Sequence, residues 1–113
     1  MNDEYLPFVY ESFRASFPDV SNVLDQLGAE ADSAGPLDDR TRRLVKLGIA
    51  VGAVSEGAIR SNTRKALSLG VSESEIQQVA VLAISTRGFP AAVAAFAWMV
   101  EVFAAQSEPR TGD

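Results

Sequence analysis

Ser55-Glu56-Gly57-Ala58-Ile59-Arg60-Ser61-Asn62-Thr63-Arg64-Lys65-Ala66-Leu67-Ser68-Leu69-Gly70-Val71-Ser72-Glu73-Ser74-Glu75 contains one complete helix and the start of the next. Ser55 is a good N-cap, because a serine oxygen there can accept an orphan amide of the first turn. Gly70 enters the left-handed region at no steric cost and ends the helix. Ser72 and Glu75 have the spacing of a capping box, in which serine takes the Glu75 amide and Glu75 reaches back. The stretch predicts a helix over Glu56–Leu69 and a second that begins at Ser72.

The same punctuation extends in both directions. Breakers fall at helix-length intervals, and strand-like alternation is absent. Upstream, helices are expected from about Leu6 to Phe17 and from about Asp19 to Ser33. The second of these carries Val20, Val23, Leu24 and Leu27 at i, i+3, i+4, i+7 and stops before Gly35-Pro36. A third is expected from Asp38 to about Ala53, with Asp38 as cap and Asp39 at the positive end of the dipole. Downstream, the helix begun at Ser72 runs to Arg87-Gly88. Phe89-Pro90 then opens a last helix that reaches about Gln106, with Pro90 where a missing N–H costs nothing. The expectation is an all-α bundle of about six helices, one domain over 1–106, and a flexible tail over 107–113.

Two segments are apolar around the whole helix: Leu47–Val54 and Phe89–Val100. A helix apolar on every side is buried on every side. A chain of 113 residues and 12.0 kDa has one small core, so a homo-oligomer is expected to bury the remainder. There is no Cys and no His. That excludes disulfides, thiol chemistry, zinc fingers, a His-held haem and any His base. The net charge of −5 and pI near 4.6 argue against nucleic acid and membrane as partners. The acidic opening Met1-Asn2-Asp3-Glu4 is unlike a secretory signal. The run Phe89–Val100 by itself is too short to span a bilayer. A cytoplasmic location is the expectation.

Several polar groups invite a second reading. Arg40, Arg42, Arg43 and Lys46 crowd the first turns of the third helix, against its dipole. They form either a solvated face, paired with Asp38, Asp39 or another subunit, or a site for a carboxylate. Ser55-Glu56-Gly57 lies at a helix N-terminus, which is either simply capped or able to hold an anion. Glu56 and Arg60 form a favourable i,i+4 pair, and Arg60, Arg64 and Lys65 read as a solvated face. Asn62, beside Ala58, Ile59 and Ala66, needs partners: an interhelical hydrogen bond or a pocket. Ser55, Ala58 and Asn62 lie on one helical face. No carboxylate run has metal-loop spacing, so neither metal nor cofactor is expected.

From Leu37 to Phe103 the chain resembles the carboxymuconolactone decarboxylase family, which includes the alkylhydroperoxidase D-like proteins. The resemblance rests on Leu37-Asp38-Asp39-Arg40-Thr41-Arg42-Arg43-Leu44, on Arg64-Lys65-Ala66-Leu67, on Gly70-Val71 followed by Glu75-Ile76, and on Gly88-Phe89-Pro90-Ala91-Ala92. It implies an all-helical fold assembled as trimers or hexamers. It also implies an active site that this chain has lost. The family's redox members carry Cys-x-x-Cys-x-x-x-His and a Glu on the preceding helix. Those positions fall here on Ser55, Ala58, Asn62 and Arg43. The decarboxylase branch keeps the His that Asn62 replaces. The resemblance therefore places a vestigial site at Arg43, Ser55, Glu56, Ala58 and Asn62. Three functions compete: an oligomeric binder of a small carboxylate or a scaffold, a non-thiol lyase or isomerase acting on a small carboxylate or lactone, and a structural subunit that binds a protein partner. Whether catalysis survives is left open by these residues.

Overall fold

The computed structural model describes residues 5–107. Among them the helices are α1 (Tyr5–Ser16), α2 (Pro18–Asp32), α3 (Asp39–Gly52), α4 (Glu56–Ser68), α5 (Glu73–Leu82), α6 (Ile84–Arg87) and α7 (Phe89–Ser107), and no strand is present. The all-α class follows. Ser107 closes α7, and the rest of the tail expected over 107–113 lies outside the described residues.

The helix expected from Ser72 to Arg87 is divided. Ala83 caps α5 in a helical conformation, and its carbonyl then accepts from the amides of Thr86, Arg87 and Gly88. Three donors on one acceptor tighten the chain into the single turn of α6. Neither Gly nor Pro marks that place, so no local signal announces it. Gly88, at φ 100° and ψ 157°, makes the turn into α7; only glycine adopts this conformation readily.

The chain forms two compact units, one up to Asp38 and one from Asp39. In the first, Pro18 opens α2 at its first turn. Arg14 grips Asp25 through two hydrogen bonds, at 3.0 and 2.5 Å. It also donates to the Tyr10 hydroxyl at 2.9 Å, and its guanidinium lies 5.4 Å from the centre of the Tyr10 ring. Arg14 holds the Asp25 carboxyl below its usual pKa.

In the second unit, α3 and α4 pack on each other, and α7 packs on both α4 and α5. The core is centred on Leu47, Ile59, Ile76, Met99 and Val102, all fully buried. Ala66, Ala80, Ala92 and Ala95 bring the helices close around them. In the single chain Leu47–Val54 and Phe89–Val100 are not enclosed on every side, as expected of helices too apolar for one small core. Ile49, Phe89, Val93, Phe96 and Val100 are exposed. A unit of this size has interior for one face of each helix only. At 19 residues, α7 outruns the segment Phe89–Val100 and is long and apolar enough to cross a membrane by length and composition. Its Ala92, Ala95, Met99, Val102 and Phe103 are core residues.

Two helices end in the same way. At the end of α4, Gly70 (φ 84°) donates to the Leu67 carbonyl and Val71 to that of Ala66. At the end of α3, Val54 (φ 51°) donates to Val51 and Ser55 to Ala50. Both are Schellman motifs, and the left-handed position belongs by preference to glycine. A β-branched residue there is strained. Val54→Gly is therefore expected to stabilise the protein by about 1 kcal/mol, after allowing for the larger unfolded-state entropy of glycine. Thermal unfolding should show a Tm higher by roughly 4–8 °C; an unchanged or lower Tm contradicts this.

The capping box at α5 is complete. The Glu75 amide donates to Ser72 Oγ at 3.1 Å, and the Ser72 amide donates to Glu75 Oε1 at 3.0 Å. Arg40 also bonds to Glu75, tying the start of α3 to that of α5. These contacts, the Arg40 bond foremost, hold the Glu75 carboxyl at about 2, against 4.5 ordinarily. A depressed folded-state pKa stabilises above the unfolded value and fades below it. Stability from this group should be full above pH 4.5 and be lost as pH falls toward 2. Urea unfolding across that window should be less pH-dependent in Glu75→Gln, which keeps the cap geometry. An unaltered pH dependence would refute the assignment.

Candidate functional site

The Schellman turn through Val54 sets the start of α4 against the end of α3. Ser55 occupies the N-cap position with extended backbone, but its side chain makes no capping hydrogen bond. The expected serine cap is thus right in position and wrong in chemistry. The Ser55 amide is already spent on the Ala50 carbonyl, and its hydroxyl is not used to close the helix end.

One and two turns into α4, Ala58 and Asn62 follow Ser55 on the same face. Asn62 Nδ2 donates to the Ala58 carbonyl at 2.8 Å. That bond fixes which end of the amide points outward. Its Oδ1 then accepts from Arg43 Nη1, on α3, at 2.5 Å. Arg43 and Asn62 are therefore in direct contact, although nineteen residues separate them. The interhelical reading of Asn62 is the one the geometry displays. Arg43 is half-buried, and its Nε is fully buried without a hydrogen-bond partner. Buried donors are normally satisfied. A guanidinium with one arm fixed by a neutral amide and another donor unmatched keeps capacity for an acceptor.

An ionic cluster joins α4 to α7. Arg60 is 4% exposed and meets Glu56 at 2.9 Å and Glu101 of α7 at 2.5 Å. The i,i+4 pair expected from the sequence is present. The solvated face expected for Arg60 is not: Arg60 is buried, because α7 covers this side of α4. Glu101 was missed in the sequence. Its signal is a lone carboxylate inside the apolar run of α7, which needs a cation to be tolerated there. Thr63, fully buried with an unpartnered hydroxyl, was also missed. Two other cations of α3 are engaged elsewhere, Arg40 with Glu75 and Arg42 with Asp39.

A groove of about 550 Å³ lies on another face of α3. It is lined by Thr41, Leu44, Val45 and Gly48 and, from the facing helix, by Gln78, Val79 and Leu82. Arg43, Ser55, Ala58 and Asn62 do not line it. Among the described residues no group of three or more Asp or Glu is placed to hold a metal ion.

Arg43 and Asn62 offer a fixed cation and an amide; the Ser55 hydroxyl, left out of capping, lies at the helix start about 10 Å further back along α4. Charge recognition and charge stabilisation are within the chemistry of this site. It has no strong base and no thiolate. The model of the carboxymuconolactone decarboxylase family matches residues 18–101, so the match reaches back through α2. No curated protein matches the chain.

Proposed function

Because the chain belongs to the carboxymuconolactone decarboxylase family and has neither Cys nor His, we propose that it is a homo-oligomeric binder of a small carboxylate, without thiol peroxidase activity. The observation that carries this reading is Arg43: a cation oriented by Asn62 at 2.5 Å, with a buried Nε that has no acceptor. A carboxylate pairs with a guanidinium through two parallel hydrogen bonds, a geometry few other small ligands match. Arg43, Ser55, Glu56, Ala58 and Asn62 form the site in this proposal. Arg43 holds the charge, Asn62 and Ala58 orient Arg43, and Ser55 offers a hydroxyl. Glu56 is turned to Arg60 and away from competition for the cation. Assembly as a trimer or hexamer would cover the exposed faces of α3 and α7, and the cytoplasm is the proposed location.

A second reading has support from the same cation. A fixed guanidinium stabilises negative charge that develops on a carboxylate or lactone, so a non-thiol lyase or isomerase would use Arg43 in that role. Product formation from an unsaturated lactone carboxylate, abolished by Arg43→Met, distinguishes that reading from binding alone.

Thermal unfolding of the protein with a panel of small mono- and dicarboxylates tests the binding proposal. A ligand at one hundred times its dissociation constant adds about 2.7 kcal/mol. At least one carboxylate should raise Tm in the native protein and fail to do so in Arg43→Met. A panel without any effect at millimolar concentration overturns the proposal.

A further inference from the structure

We propose that the groove between α3 and α5 binds an alkyl carboxylate, with the chain laid along the groove and the carboxylate on Arg87. Every lining residue belongs to the unit from Asp39 onward, and none belongs to the Arg43 site. The two helices run parallel. Arg40 bonds to Glu75 at their starts. Arg87, just past α5, donates through Nε to the Gly52 carbonyl at the end of α3, at 2.8 Å. Thr41, Val45, Gly48 and Gly52 follow one face of α3 along the groove. At a rise of 1.5 Å per residue, Thr41 to Gly52 spans about 16 Å. The volume of about 550 Å³ lies within the roughly 300–1,000 Å³ of small-molecule sites. Two glycines keep it open. A Cβ on Gly48 would lie 3.9 Å from Val79 Cγ1, and one on Gly52 would meet nothing within 4 Å.

Charge gives the ligand its direction. Among the described residues the lining holds no charged side chain, and its polar members Thr41, Gln78 and Thr86 are neutral. An uncharged chain suits such a lining. The two ends of the groove differ. At one end the Arg40 cation is matched by Glu75. At the other, Arg87 follows the lining residue Thr86 and is bonded to the lining residue Gly52. A carbonyl takes one N–H but carries no formal charge, so the guanidinium charge is not cancelled. Among the described residues the two Nη groups of Arg87 make no hydrogen bond or ion pair. With Nε held by Gly52, they present the pair of donors that a carboxylate accepts. A neutral apolar slot with one unmatched cation at one end fits a ligand with an apolar chain and a single anionic head.

The test is a ¹⁵N NMR titration of the full chain with hexanoate, octanoate and decanoate, each kept below the concentration at which it aggregates. The readouts are the Gly48 and Gly52 amides and the Arg87 Nε–H. All three should shift together and saturate, and affinity should rise about fourfold for each methylene added. Gly48→Leu places a side chain in the groove, improves helix propensity and should abolish the response to decanoate. Arg87→Gln should weaken decanoate binding about tenfold, the effect of losing a hydrogen bond to a charged group. Decyltrimethylammonium, with the same chain and the opposite charge, should bind at least about tenfold more weakly than decanoate. Unmoved groove amides, an affinity independent of chain length, equal binding of the cationic amphiphile, or unchanged affinity in Arg87→Gln overturns the proposal. So does a response to phosphatidylglycerol vesicles without one to monomeric decanoate, which would make the face a membrane contact. The groove and the Arg43 site share no readout, so either can fail alone.

Discussion

Replacing Glu56 and Glu101 together by alanine is expected to cost about 3–5 kcal/mol, because it strands the buried Arg60 charge without these two carboxylates. Arg60 is 4% exposed, while Glu56 and Glu101 are 29% and 58% exposed. The asymmetry produces a second expectation. Arg60→Met should cost markedly less than the double substitution, since it leaves two carboxylates that reach water and puts a flexible apolar side chain in a buried place. Urea unfolding of the two variants measures the order directly. If Arg60→Met is the more destabilising, then the ion pair contributes more by attraction than it costs in desolvation, and this account of the α4–α7 contact is wrong.

Met99→Ala is the other large effect. Met99 is fully buried in the core with Leu47, Ile59 and Ile76. Truncation removes transfer free energy and leaves a cavity, a loss of about 2–5 kcal/mol. Total stabilities of domains are about 5–15 kcal/mol, so the variant should unfold at a much lower temperature. Phe96→Ala, three residues earlier on the exposed side of the same helix, serves as the comparison. In an isolated chain it should be nearly neutral. In an oligomer that covers α7, it should weaken assembly and make stability more dependent on protein concentration. A loss below about 1 kcal/mol at Met99 would contradict the core described here.

Most of the architecture was legible because the chain writes its helix ends locally. Ser72 and Glu75 form the capping box that their spacing announces. Gly70 takes the left-handed conformation, and Phe89-Pro90 lies where α7 begins. What was not legible depends on tertiary contacts or on residues that act against preference. Val54 fills a position that favours glycine, so no motif marks it. Ala83 divides α5 from α6 with an ordinary residue. Arg60 has the spacing of a surface ion pair, and only the arrival of α7 with Glu101 makes it interior. The apolar pattern of α3 and α7 was read correctly as too extensive for one small core, yet the open faces of Ile49 and Phe96 appear only in the folded chain.

The site divides along the same line. One-face spacing placed Ser55, Ala58 and Asn62 together. The link to Arg43 rested on the resemblance and on the reach of an arginine side chain, and the two atoms lie 2.5 Å apart. Periodicity has no way to reveal that the Arg43 Nε is buried without an acceptor, or that the Ser55 hydroxyl leaves the helix end uncapped. The first depends on the packing of α4 against the first turns of α3, where Asn62 meets Arg43; the second lies at the other end of α3, after the Val54 turn.

The most direct measurement is a ¹⁵N NMR titration that follows the Arg43 Nε–H and the Asn62 side-chain amide while a small carboxylate is added. The account predicts a saturable shift of the Arg43 Nε–H, with the Asn62 amide moving in step, and loss of both responses to the ligand in Arg43→Met. An Arg43 Nε–H that stays in place while the carboxylate binds elsewhere, or that is unmoved by every carboxylate at millimolar concentration, would contradict it.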